Sequence, residues 1–546
     1  MEWINSQGGG YHLRRAVLNF PNIASLTLVI ECMTPATPGP SIRTLGELKA
    51  SGYRSRSIKD ELRENLIQRL RSKTPVFDGV YGYEDTVIPD IERAILSRHN
   101  MILLGLRGQA KTRMARLMTN LLDEWMPIVD GGDLQDDPLA PLSRAAVQLI
   151  AEHGDATPIA WVHRSERYAE KLATPDVSVA DLIGDIDPIK AANLRLSYAD
   201  ERVIHFGIIP RSNRCIFVLN ELPDLQARIQ VSLFNILQEG DIQIRGFKLR
   251  LPLDIAFVFT ANPEDYTNRG SIVTPLKDRI ESQILTHYPK SLEISRRITQ
   301  QEAQVADSAA ASVTVPPLAA DLVEQIAIAA RESEFVDQKS GVSARLTISA
   351  YENLVSAAER RILHSGEAET TVRVGDFWGL VPAITGKIEL VYEGEQEGPS
   401  IVAQNLIGKA VRAQFPLYFP NPEELKRAKG NKKGENPYDA VVRWFGAGNR
   451  LDLLLDLDGP AYRAALDLVP GLDALMERYQ PDVLETERYF VKEFLLHGIA
   501  EYSLIGKSRL EKGIQFQDLM SGLFNAKPGS EDDDEEGEWE DEEDDL

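Results

Sequence analysis

The period of the apolar residues changes abruptly near residue 100, and this change restricts the fold more than any other feature of the chain. A continuous apolar run, MILL (101–104), leads into GLRGQAKT (105–112), and the residues that follow place Met114, Leu117, Met118, Leu121 and Leu122 on one helical face. A short apolar run without alternation is the mark of a strand buried on both sides, as in a parallel sheet flanked by helices. A glycine-bearing loop between such a strand and a helix converges backbone N–H groups on one point, which is how the phosphates of a nucleoside triphosphate are held. Gly105, Leu106, Arg107, Gly108, Gln109, Ala110, Lys111 and Thr112 are therefore the candidate nucleotide-binding residues. Gly105 and Gly108 permit the tight path, Lys111 reaches the β and γ phosphates, and the Thr112 hydroxyl is a ligand for Mg²⁺. Ala110 stands where the full pattern has a glycine.

Two later apolar runs share this character. CIFVL (215–219) ends at Asn220 and Glu221, and IAFVF (255–259) is followed by Asn262. Hydrolysis of ATP needs a polar group at a strand tip to support the metal shell and a carboxylate to polarise water. Asn220 is the candidate for the first role, alongside Thr112, and Glu221 for the second. Asn220 is neutral where an aspartate is usual, so it can hold a metal-bound water without contributing charge, and weaker Mg²⁺ binding is expected. Asn262 can orient the attacking water by hydrogen bonding. Each of these elements recurs by chance in unrelated chains; their order along one chain carries the reading.

The rest of the chain divides by composition. Residues 1–40 end in a Thr-, Pro- and Gly-rich stretch from Met33, a candidate alternative start, and are expected to be unstructured. An α/β core with an N-terminal helix is expected over 41–289. Its first helix, SIKDELRENLIQRLRSK (57–73), opens on Ser57 as a cap and carries Ile58, Leu62, Leu66 and Leu70 at intervals of four; TVIPDIERAILSRHN (86–100) repeats the pattern with Val87, Ile91 and Ile95. From 290 to 415 the pattern is helical, with LAADLVEQIAIAARESEF (318–335) and ARLTISAYENLVSAAERRILHS (344–365), and it reads as a lid and its extension. A Lys- and Gly-rich linker or loop at 416–436, a mostly helical region at 437–525 and an acidic tail at 526–546 complete the division.

The formal net charge is −23, but the stretch from Glu531 onward holds 13 carboxylates and no base, which leaves −10 for the rest. So mildly acidic a body lacks the clustered Lys and Arg of a nucleic-acid binder, and no nucleic acid is expected as partner. Cys32 and Cys215 have neither disulfide nor metal-ligand spacing, which suits a reducing compartment. The apolar stretch IASLTLVI (23–30) is too short to cross a bilayer, so no membrane span and a cytoplasmic location are expected.

Taken together, these stretches resemble the AAA+ ATPase subunits of magnesium chelatase and the related MoxR ATPases. The Ala-Lys-Thr ending of GLRGQAKT is similar to the MoxR phosphate loop. DLIGDIDPIKA (181–191) followed by VIHFGIIPRSNRCIFVLNELPDL (203–225) resembles the chelatase stretch that passes through a helix-2 insert into the Walker B strand, and DIQIRGFKLRLP (241–252) resembles the hairpin ahead of sensor one. The likeness covers about 78–361. It implies a P-loop AAA+ parallel sheet with flanking helices, a helical lid and a further mostly helical C-terminal region. It also implies a catalytic set of Glu221, Asn262 as sensor one, Arg279 in TPLKDRIES as an arginine finger acting across a subunit boundary, and Arg345 in GVSARLTIS as the sensor-two arginine; Arg269 is the reserve finger. ATP and Mg²⁺, a homo-oligomeric ring such as a hexamer, and a partner such as a von Willebrand A-domain protein follow from the same likeness. The implied activity is ATP hydrolysis coupled to remodelling or activating a partner protein. The alternatives are the ATPase subunit of a magnesium-protoporphyrin chelatase and a nucleotide-binding transcription regulator or scaffold with weak hydrolysis.

Overall fold

Alternate side chains of each apolar run feed two separate cores, and this period-two division builds the central sheet. In the computed structural model, which describes residues 39–196, 203–242, 244, 251–262, 271–428, 436–510 and 512–519, the sheet has five strands: β1 (Met101–Leu104), β2 (Tyr168–Leu172), β3 (Cys215–Asn220), β4 (Ile255–Ala261) and β5 (Ser282–Leu285). All neighbours are parallel and the order is β5-β1-β4-β3-β2. Ile102, Leu104, Phe217, Leu219, Phe257 and Phe259 enter one core, while Met101, Leu103, Ile216, Val218, Ala256 and Val258 enter the other. Leu104 is level with Ala261, and Phe259 with Leu219, so β1, β4 and β3 end together along one rim. That register places the residues after each strand side by side. The expected N-terminal segment, the acidic tail and Arg269 lie outside the described residues.

Helix Ile58–Ser72 starts at Ser57, whose hydroxyl accepts the Asp60 N–H at 3.1 Å, and it buries Ile58, Leu62 and Leu66. Leu70, the fourth residue of the expected stripe, is 43% exposed, so the last turn runs past the core. Helix Val87–Leu96 buries Val87, Ile91 and Ile95 as its spacing predicts. After the glycine loop, an α-helix over Lys111–Leu117 tightens into a 3-10 turn at Met118–Leu121; Met114, Met118, Leu121 and Leu122 are buried while Leu117 is half-buried. The edge strands β2 and β5 each pair on one side only and are largely half-exposed, which is why YAEKL and SQIL carry no apolar run. Strand Gly184–Ile186 pairs antiparallel with Ile204–Phe206 around helix Pro188–Leu194, and Asp241–Ile242 pairs antiparallel with Leu251–Pro252.

The lid helices Leu292–Glu302, Pro317–Arg331 and Arg345–Ser365 follow. Residues from the lid and the C-terminal region, among them Leu322, Leu354, Phe415, Phe494 and Phe516, share one hydrophobic core. Helix Pro399–Tyr418 continues through Pro416. A proline there leaves the carbonyl of residue 412 without its helical donor, and the Tyr502 hydroxyl donates to that oxygen at 3.2 Å. A further short helix spans Pro422–Ala428. The C-terminal region also holds a three-stranded antiparallel sheet of Leu451–Leu454, Gly513–Gln517 and Gly506–Leu510, with Gly513–Gln517 in the middle. Among the described residues no helix is long and apolar enough to cross a membrane.

Candidate functional site

The common rim of β1, β4 and β3 opens on a cleft of about 530 Å³ between the sheet and the lid, lined by the loop residues 107–112 together with Glu221, Asn262 and Arg345. The loop's path is set by contacts that leave no room for larger side chains. A Cβ on Gly105 would meet Thr286 Oγ1 at 1.9 Å, and one on Gly108, where φ is +74°, would meet Ser343 Oγ at 2.2 Å. Leu106 lies against Gly341, where a Cβ would approach its Cδ1 at 2.8 Å, so the lid segment leading to Arg345 is seated on the loop. The Gln109 side chain accepts from the Thr286 hydroxyl at 2.6 Å. The Tyr83 hydroxyl lies 3.1 Å from the Gln109 carbonyl and 2.7 Å from that of His287, and burial pushes its pKa up to about 12, which keeps it a donor. Arg107 extends to the lid instead, pairing with Glu389 at 2.7 Å.

Lys111 is buried. Its ammonium donates to the Gly105 carbonyl, to the Leu106 carbonyl at 3.1 Å and to Asn262 Oδ1 at 2.8 Å. Because Lys111 only donates, the Asn262 oxygen faces it and the nitrogen faces away, donating to Glu221 Oε2 at 3.2 Å. Lys111, Asn262 and Glu221 thus form a connected line across three strand ends. Glu221 itself has φ +54° and ψ +51°, and its N–H donates to the Thr260 hydroxyl at 3.2 Å, which steadies a backbone conformation that L-residues disfavour. Ala110 is likewise left-handed at φ +56°, the conformation for which glycine is suited.

Asn220 sits one layer behind. Its Oδ1 accepts from Thr112 Oγ1 at 3.3 Å and from Thr260 Oγ1 at 3.0 Å, while its Nδ2 donates to Glu170 Oε1 at 2.7 Å. The residue expected as metal support at this strand tip is thus a neutral amide with a carboxylate set against its nitrogen. The Thr112 hydroxyl and the Asn220 amide oxygen lie together, and hard oxygen donors of this kind suit Mg²⁺, which binds few side chains and retains waters. Among the described residues no cluster of three His, Cys, Asp or Glu side chains could hold a metal alone.

Arg345 lines the cleft from the first residue of its lid helix. Arg279 does not reach it. Its guanidinium is held by Gln238 Oε1 at 2.9 Å and the Pro275 carbonyl at 2.7 Å, over the Phe234 ring. Thr260, Tyr83 and Glu170 join the site without having been singled out in the sequence. Thr260 follows the IAFVF run directly, two residues before Asn262, and Glu170 lies in an edge strand whose mixed polarity hides its register.

No protein-family model matches the sequence, and no curated protein matches it. Among solved structures the chain is similar to a candidate ATPase from Cytophaga hutchinsonii, at 18% identity and a TM-score of 0.25 over 66% of this chain and 98% of that one. It is also similar to NtrX from Brucella abortus in complex with ADP, at 12% identity and a TM-score of 0.34 over 66% and 68%. A third is Hsp104 with ATPγS and casein, at 13% identity and a TM-score of 0.33 over 61% and 52%. The strand order β5-β1-β4-β3-β2, the phosphate-type loop after β1 and the polar tips of β3 and β4 under a helical lid make this a P-loop fold of the AAA+ type.

Proposed function

We propose that the chain binds ATP in the cleft between sheet and lid and hydrolyses it, working as a ring protein that remodels or activates a partner protein in the manner of the MoxR and magnesium-chelatase ATPases. The observation that carries the reading is the line Lys111–Asn262–Glu221, in which a cation suited to phosphates and a carboxylate suited to water activation are joined through one amide over a nucleotide-sized cleft. Phosphate oxygens are charged acceptors and draw Lys111 more strongly than the loop carbonyls do. The loop amides bind and orient the phosphates, Glu221 accepts the proton of the attacking water, and Asn262 fixes the position of that carboxylate. Thr112, with Asn220 behind it, would hold Mg²⁺, which supplies charge neutralisation at the phosphates. Arg345 faces the same cleft, while the position of Arg279 outside it supports action on a neighbouring subunit.

The test is phosphate release from ATP by the purified full-length chain, with nucleotide affinity measured by calorimetry. Saturable binding and turnover that both vanish in Lys111→Ala are expected. A wild-type chain that binds no ATP overturns the reading.

A further inference from the structure

The strand-tip position next to Glu221 holds an amide, Asn220, yet this amide is not electrically isolated. Its Nδ2 donates to Glu170 Oε1 at 2.7 Å from the adjacent strand β2. The orientation is fixed by chemistry: a carboxylate accepts and cannot donate, so the nitrogen must face Glu170 and the oxygen must face Thr112 and Thr260. The second oxygen of Glu170 is held elsewhere, by the Tyr168 hydroxyl at 2.9 Å and Arg116 at 3.0 Å. Those two contacts lock the carboxylate and leave Oε1 aimed at Asn220.

We propose that Glu170 is a positioning residue that supplies, through the Asn220 amide, the negative charge which an aspartate at the strand tip would bring to Mg²⁺ of bound Mg·ATP. This rests on the ATP-site reading above. Donating a hydrogen bond from Nδ2 to the Glu170 carboxylate polarises the amide and makes Oδ1 a stronger acceptor where it meets Thr112, and the carboxylate's own field acts one amide away. Arg116 offsets this only in part, because its side chain is 66% exposed and solvent screens it, whereas Glu170 is 29% exposed. The alternative role for Glu170, a surface partner for Arg116, involves no coupling to Mg²⁺.

The arrangement has a further consequence. Asn220→Asp, which would restore the common residue, sets a second carboxylate against Glu170 where a 2.7 Å hydrogen bond now lies. Like charges at that separation repel and a cation relieves the repulsion, so the substitution by itself does not weaken Mg²⁺ binding. Combining it with Glu170→Gln moves the charge to the strand tip and leaves an amide to donate to it, so the two changes compensate.

The experiment titrates a fluorescent ATP analogue into the full-length chain with excess Mg²⁺ and again with EDTA, for wild type, Glu170→Gln, Asn220→Asp and the double variant. The readout is the gain in affinity that Mg²⁺ confers. Glu170→Gln is expected to lower that gain about tenfold while leaving the EDTA affinity unchanged; Asn220→Asp leaves the gain undiminished, and the double variant recovers most of what Glu170→Gln loses. An undiminished gain in Glu170→Gln overturns the proposal. Should Glu170→Gln lose its EDTA affinity as well, the comparison of Glu170→Gln with the double variant decides: recovery of the Mg²⁺ gain supports the charge transfer, and no recovery overturns it. A wild-type chain that binds the analogue in neither condition is a separate result, which overturns the ATP-site reading itself.

Discussion

The Asn262 side-chain nitrogen donates to Glu221 Oε2 at 3.2 Å while its oxygen accepts from Lys111 at 2.8 Å. A single amide therefore links the cation proposed to bind phosphate and the carboxylate proposed to activate water, so the hold of Lys111 and the orientation of Glu221 share one side chain. Asn262→Ala is expected to leave ATP affinity nearly unchanged and to lower kcat on the order of a hundredfold, because the carboxylate loses its orienting donor. Calorimetric affinity beside steady-state kinetics checks this. Equal losses in binding and turnover would place Asn262 in phosphate binding instead.

Glu221→Gln keeps the shape of the site and removes the proton acceptor. ATP affinity should persist and hydrolysis should fall by at least about 10². Single-turnover measurement separates the chemical step from product release, and normal single-turnover rates in this variant would move the base to another residue.

Ala110 adopts φ +56° in the phosphate loop, where a Cβ is unfavourable by about 1 kcal/mol. Ala110→Gly should raise the thermal unfolding temperature or leave it unchanged, and should retain ATP binding. Gly108→Ala is the contrast: its Cβ would meet Ser343 Oγ at 2.2 Å and the Ala344 nitrogen at 2.9 Å, so it should unseat the lid from the loop. Calorimetric melts of both variants check the pair; a destabilised Ala110→Gly would show that the loop is built around the alanine.

The strands that lead into the candidate site were legible because they are buried on both faces: MILL, CIFVL and IAFVF are apolar throughout, the first running into the glycine loop and the other two towards Asn220 and Asn262 at the rim. The partners of those polar ends were not. Glu170 reaches Asn220 only because β2 lies beside β3 in this register, with Leu172 opposite Asn220, a pairing across 48 residues that leaves no local pattern. Leu70 failed as a core residue for a similar reason, since the period of a helix says which side is apolar but not how far the neighbouring core extends. The helix that runs past residue 416, where a linker or loop was expected to begin, was hidden because the hydroxyl that replaces the missing donor of Pro416 comes from Tyr502.

Arg279 offers the test of whether the chain works as a ring. Its guanidinium is fixed by Gln238, Pro275 and Phe234 away from its own cleft, so a role in hydrolysis has to be exerted on another subunit. Arg279→Ala should retain ATP binding, since no cleft contact is removed, and lose turnover on the order of a thousandfold, as expected when a guanidinium no longer neutralises the transferring phosphoryl group. Mixing inactive Arg279→Ala with inactive Glu221→Gln pairs, at some interfaces, an intact Glu221 with an intact Arg279 from the neighbour. Those interfaces should regain activity. Native mass spectrometry shows whether mixed assemblies form. If they form and activity does not return, Arg279 is a structural residue of its own subunit and Arg269 becomes the arginine to test.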